Sequence, residues 1–304
     1  MTEEYAAGRY MAAAELLPGG LRGAALALDR RTMARVEELR LRIGRPLGLT
    51  LPTGEVRLES TQVSREDLEQ VLDRATAFSR YTAAETLRQG YLTAPGGFRI
   101  GVCGTALPTG GENSALRDPS SLAIRIPRAA EGAASPVLPH LVEGGRVVST
   151  LILSPPGGGK TTFLRDLTRQ LSLGSSAAPP QRVALVDERG ELAAVYQGVP
   201  QLEVGPLTDV LDGCPKALAV PMLLRAMTPQ VMALDEIALP GDVDAVGLAA
   251  NCGVALLATA HACAVHELQC RPVLRRLLTG GVFRRAVVIT GQGAERRYRV
   301  ETLP

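Results

Sequence analysis

The residues best suited to chemistry form one nonapeptide, Ser154-Pro155-Pro156-Gly157-Gly158-Gly159-Lys160-Thr161-Thr162. Gly159, Lys160 and Thr161 satisfy the phosphate-loop pattern GxxxxGK[ST], with Ser154 where a first Gly is usual. The N–H groups of Gly157 to Thr161 would cradle phosphates at the start of a helix, where the dipole favours anions. Lys160 would reach the β- and γ-phosphates and Thr161 would offer its hydroxyl to Mg²⁺, so ATP and Mg²⁺ are the expected cofactors. The plainer alternative is a flexible Gly-rich turn. Lysine usage argues against it, because only Lys160 and Lys216 are lysines while 31 residues are arginine. Where this chain departs from Arg, a compact ammonium on a flexible stem is wanted.

Carboxylates follow on two apolar runs. Val231-Met-Ala-Leu-Asp235-Glu236 ends in the acid pair that a phosphate-loop enzyme uses for Mg²⁺ and for the attacking water, so Asp235 joins Thr161 as an expected metal ligand. Val183-Ala-Leu-Val-Asp187-Glu188-Arg189 repeats the pattern. One of Glu188 and Glu236 is the expected general base, with preference for Glu188 because Asp235-Glu236 already has metal work. A surface pair capped by Arg189 is the alternative. Leu256-Leu-Ala-Thr259-Ala-His261 ends in a polar tip that would sense the γ-phosphate, or serve structure alone. Phosphoryl transfer commonly needs an arginine from a neighbouring subunit or domain; Arg225 is the leading candidate beside Arg99, Arg125, Arg284 and Arg285. The run His261, Cys263, His266, Cys270 invites a zinc reading that its spacing does not favour.

The elements that must position these groups are legible. Val147–Leu153, Val183–Asp187, Val231–Asp235, Val254–Ala260 and Ala286–Thr290 are short apolar runs alternating with helical patterns such as Thr161–Leu173. That alternation predicts an α/β fold, a RecA/AAA-like phosphate-loop core with a mainly parallel sheet. A smaller α+β domain is expected before it. Residues 15–45 carry apolar spacing of three and four, predicting helix; Pro46–Glu59 reads as a hairpin; Ser64 and Asp67 form a capping box opening a helix to Phe78. A helix at Ala83–Gln89, strands over Gly90–Ala106 and a strand at Ser121–Ile126 follow. Prolines and glycines between Pro127 and Gly145 predict a boundary, giving domains 1–140 and 141–304.

Composition bounds the function. Lys+Arg 33 against Asp+Glu 31 leaves a net charge of +2, too balanced to imply by itself a nucleic-acid or polybasic membrane binder, and 3% aromatic residues with no Trp disfavour a single-strand nucleic-acid groove. Five cysteines without a CxxC fit a reducing compartment. No export signal or bilayer-length apolar stretch is read, so a cytoplasmic protein is expected.

Several stretches carry a wider resemblance: Glu38-Leu-Arg-Leu-Arg-Ile-Gly-Arg-Pro46, Leu87-Arg-Gln-Gly90 with Pro95-Gly-Gly97, Ser120-Ser-Leu-Ala-Ile-Arg125, the phosphate loop, Val186-Asp-Glu-Arg189, Gly198-Val-Pro-Gln201, Thr208-Asp-Val-Leu-Asp212-Gly-Cys-Pro-Lys216 and Leu234-Asp-Glu-Ile237. Together they span most of residues 35–280, and the chain resembles the stage III sporulation AA family, itself similar to secretion and pilus-motor ATPases. The resemblance implies two domains, a ring of six subunits with ATP between neighbours, and membrane-embedded sporulation channel proteins as partners on the mother-cell side. It also implies a site built from Asp187-Glu188, Asp235-Glu236 and His261. Ser154 for Gly, and Ala238-Leu239 where the family often has Gly-Arg, depart from it. A nucleic-acid-dependent ATPase and a nucleotide-binding scaffold are the competing functions.

Overall fold

Period-two alternation decides the first sheet. In β1 (Glu38–Arg42) Leu39 and Leu41 are buried while their neighbours are half-exposed, the pattern of a strand with one face on a core. It pairs with β2 (Leu47–Leu51), which turns into β3 (Gly54–Leu58), the expected hairpin. With β4 (Tyr91–Ala94), β5 (Phe98–Leu107) and β6 (Ala115–Arg125) the strands run in the order β3-β2-β1-β6-β5-β4, every pairing antiparallel. The helix expected over residues 15–45 is corrected to two short pieces, α2 (Gly19–Leu26) and α3 (Arg30–Met33), after an opening α1 (Glu3–Ala14). Alternation of Leu39 and Leu41 between arginines overrides the helical spacing there, because the sheet buries both on one face. The capping box is present on α4 (Arg65–Ala75): Asp67 N–H donates to Ser64 Oγ at 3.1 Å and Ser64 N–H to the Asp67 carboxylate at 2.8 Å.

The computed structural model describes residues 3–76, 87, 90–107, 115–127, 131–291 and 295–303. The helix expected at Ala83–Gln89 lies outside them, Leu87 apart. Contacts divide the chain into two units, Met1–Ala129 with Ala194–Gln201, and Ala130–Ala193 with Leu202–Pro304.

In the second unit a small hairpin, β7 (Val142–Glu143) and β8 (Arg146–Val147), precedes β9 (Thr150–Ser154). Then come α5 (Lys160–Leu173), β10 (Val183–Asp187), β11 (Thr208–Asp212), α6 (Lys216–Ala226) and β12 (Val231–Glu236). The chain continues through α7 (Pro240–Asn251), β13 (Ala255–His261), α8 (Pro272–Thr279), β14 (Arg285–Thr290) and β15 (Arg297–Thr302). Strand order is β11-β10-β12-β13-β9-β14-β15, parallel throughout except for β15. Every residue of β9 and β10 is buried, as expected of strands covered on both faces. In the seven-stranded sheet the strands not foreseen, β11 and β15, are the edges, where one side meets water and polar residues interrupt the apolar run.

Candidate functional site

Parallel topology brings the carboxyl ends of β9, β10, β12 and β13 to one edge, so Ser154, Asp187, Glu236 and His261 finish on the same side although up to 107 positions separate them. The loop leaving β9 is shaped for main-chain contacts. Gly157 has φ +72° and Gly159 φ +96°, conformations that glycine adopts without strain. A Cβ on Gly158 would stand 2.7 Å from Ser154 Cβ, and one on Gly159 would stand 2.6 Å from Arg296 Cζ. Ser154 is itself buried and its hydroxyl donates to the Pro155 carbonyl at 2.9 Å, so the side chain in the usual first-glycine place packs inside the turn. Lys160 opens α5, with Thr161 and Thr162 half-buried on its first turn.

The Lys160 ammonium donates to the carbonyls of Ser154 at 3.1 Å and Pro155 at 3.4 Å, and lies 2.8 Å from His261 Nδ1. An ammonium has no acceptor, so Nδ1 must accept; the proton then sits on Nε2, which faces the Glu236 carboxylate at 3.0 Å. Lys160, His261 and Glu236 thus form a chain, closed on its outer side by Arg189 at 3.6 Å from Glu236. Burial holds the Lys160 amine below its ordinary range, with Glu236 opposing that shift.

Asp187, the last residue of β10, and Glu188, which follows it, divide their roles. Asp187 is fully buried and accepts from the N–H groups of Glu191, Leu192 and Ala193 at 2.8–3.0 Å, fixing the loop that leaves the strand. Glu188 instead meets Lys216 Nζ at 2.6 Å, and the same ammonium lies 2.5 Å from Asp235. Burial pushes the Asp235 carboxyl up to about 6, against the pull of Lys216 and with Asp187 and Glu188 adding to it. For Lys216 burial acts downward, but Asp235 and Glu188 outweigh it and leave the amine above its ordinary value. Thr259 is buried on β13, where its carbonyl accepts from Ile237 N–H at 2.8 Å.

Lys160, Glu188, Asp235, Glu236 and His261 therefore gather at one edge beside the loop of residues 154–162. Arg225 does not. It is exposed in the last turn of α6, nine residues or roughly 13 Å from the Lys216 end, toward the opposite edge of the sheet. Arg99 stacks on Tyr91 at 4.0 Å and Arg125 pairs with Glu38 at 3.1 Å in the first unit, while Arg284 and Arg285 pair with Glu143. Lys216 and Arg296 carry no role in the sequence reading, and Arg189, read there as a cap on Asp187-Glu188, meets Glu236 instead; the scarcity of lysine is the one signal that points at Lys216. Among the described residues no group of three His, Cys, Asp or Glu side chains is placed to hold a metal ion by itself. No helix among them is long and apolar enough to cross a membrane.

The donor set fits a Mg²⁺-bound nucleoside triphosphate: amides at a helix start, glycines whose Cβ would obstruct the turn, one ammonium, one hydroxyl and carboxylates opposite. The fold is similar to those of two solved ATPases. The Legionella pneumophila ATPase DotB superposes with TM-score 0.56 over 87% of this chain and 75% of its own, at 16% identity. The pilus retraction motor PilT, solved with bound ADP, gives 0.59 over 88% and 80%, at 14% identity. Residues 11–300 match the model of the family described as sporulation stage III, protein AA, and the chain belongs to that family. Stage III sporulation protein AA of Bacillus subtilis (strain 168) is 40% identical over 264 residues, 87% of this chain and 85% of that protein.

Proposed function

We propose that this chain is a Mg²⁺-dependent ATPase that works as a ring of six copies in the mother-cell cytoplasm, driving or assembling membrane-embedded sporulation channel proteins. The observation that carries the reading is the convergence of the glycine turn and Lys160 with the acids of β10 and β12 on one sheet edge. Residues 154–162 hold the phosphates through main-chain amides and the Lys160 ammonium. Thr161 and Asp235 hold Mg²⁺, which when bound offsets charge on the phosphate oxygens. Glu188 accepts the proton of the attacking water: its side chain pairs with Lys216, whereas Glu236 is engaged by both His261 and Arg189. His261, tied to Lys160, reports the state of the phosphate end to Glu236. Family membership supports the sporulation setting, and the shared fold supports a motor cycle.

Thermal unfolding with and without Mg²⁺ and millimolar ATP tests the reading. A shift in the wild type that disappears in Lys160→Ala is expected; a wild type that does not respond to nucleotide refutes it.

A further inference from the structure

We propose that Lys216 is a positioning residue, a built-in counter-cation that holds Glu188 and Asp235 together and denies the acidic strand ends to a free divalent cation, so that metal enters only with nucleotide. This rests on the reading of the edge as a Mg²⁺-nucleotide site. One ammonium reaches carboxylates at the ends of two adjacent parallel strands, 2.6 Å from Glu188 and 2.5 Å from Asp235, with 5% of its side chain exposed. Strands lie about 4.8 Å apart, a gap that a compact ammonium with three donors spans.

The placement is otherwise unfavourable. Lys216 is the first residue of α6, directly after Pro215, where the helix dipole repels a cation. Burial of the side chain adds to that cost, so the two carboxylates must hold it there. Around it the register aligns Asp187 with Asp212 on the neighbouring strand, which adds further negative charge. Arg189, on the same edge, is directed to Glu236. Without its ammonium the pair Glu188–Asp235 presents oxygen ligands of the kind that hard divalent cations take.

The test uses the full chain, MnCl₂ alone and no nucleotide. Lys216→Met is expected to gain a melting shift of roughly 5–10 °C at a hundredfold excess of Mn²⁺ over its dissociation constant. The wild type, Lys216→Arg and the double variant Lys216→Met, Asp235→Asn are expected to stay unmoved. Equal responses in wild type and Lys216→Met, or a response that survives in the double variant, would overturn the proposal. Should Lys216→Met be recovered only unfolded, refolding promoted by Mn²⁺ supports it, and failure of Mn²⁺ to restore a fold that the double variant attains counts against it. Because no ATP enters, a wild type that binds no nucleotide removes the proposed function and leaves this result readable by itself.

Discussion

Replacing Asp187 by Ala separates the structural acid of β10 from its chemical neighbour. The Asp187 carboxylate is the acceptor for three main-chain N–H groups, and two of the donors, Leu192 and Ala193, have no solvent exposure. An orphaned buried N–H costs about 1–3 kcal/mol, so two give about 4 kcal/mol. Removing Asp187 also relieves its repulsion of Asp235, but burial is the larger cause of that shift, so the relief offsets only part of the cost. At 2–4 °C per kcal/mol for a domain of this size, the melting midpoint should fall by roughly 8–16 °C. Asp187→Asn, which keeps the volume but aims an amide N–H₂ at other N–H groups, should lose at least half as much. Circular dichroism melts of wild type, Asp187→Ala, Asp187→Asn and Glu188→Ala give the comparison. If Asp187→Ala melts within about 2 °C of wild type, or Glu188→Ala is the more damaging change, the assignment of Asp187 to loop anchoring is wrong.

Two other outcomes follow from the same geometry. Glu188→Gln should keep the ATP-induced melting shift while phosphate release slows by about 10²–10⁴-fold, the usual worth of a general base; unchanged turnover would transfer the role to Glu236. The folded-state value of Asp235 near 6 stands above 3.8 for the unfolded chain, so its contribution to stability is full below about pH 4 and is lost as pH rises to about 6. Asp235→Asn should therefore flatten the decline of melting midpoint between those limits, and an unaltered slope would assign that titration to another group.

The phosphate loop is legible because its chemistry is local: nine consecutive residues carry the turn, the ammonium and the helix start. The strands behind it are legible for a related reason, since a parallel strand covered on both faces must be apolar throughout, as Val183–Val186 and Val231–Leu234 are. What joins them is not local. The Lys216 bridge depends on β10 and β12 being neighbours in register, and the approach of Arg296 to Gly159 depends on the last strand folding back along β14. Neither relation leaves a spacing to read. The stretch before Arg42 misleads for a different reason: Leu28, Met33, Val36 and Leu39 fit a helix as well as a strand entry, and the pairing with β6 chooses. Arg225 is near Asp235 in sequence, yet it stands at the far end of α6 from Lys216, away from the site of its own subunit.

The scarcity of lysine also gives the molecule an unusual cleavage map. A protease specific for lysine can cut this sequence only after Lys160 and Lys216, and both side chains are buried at the edge where the strands end. Fragments ending at those positions would be a direct count of molecules whose sheet edge has come open, with no label added and no background from the rest of the surface.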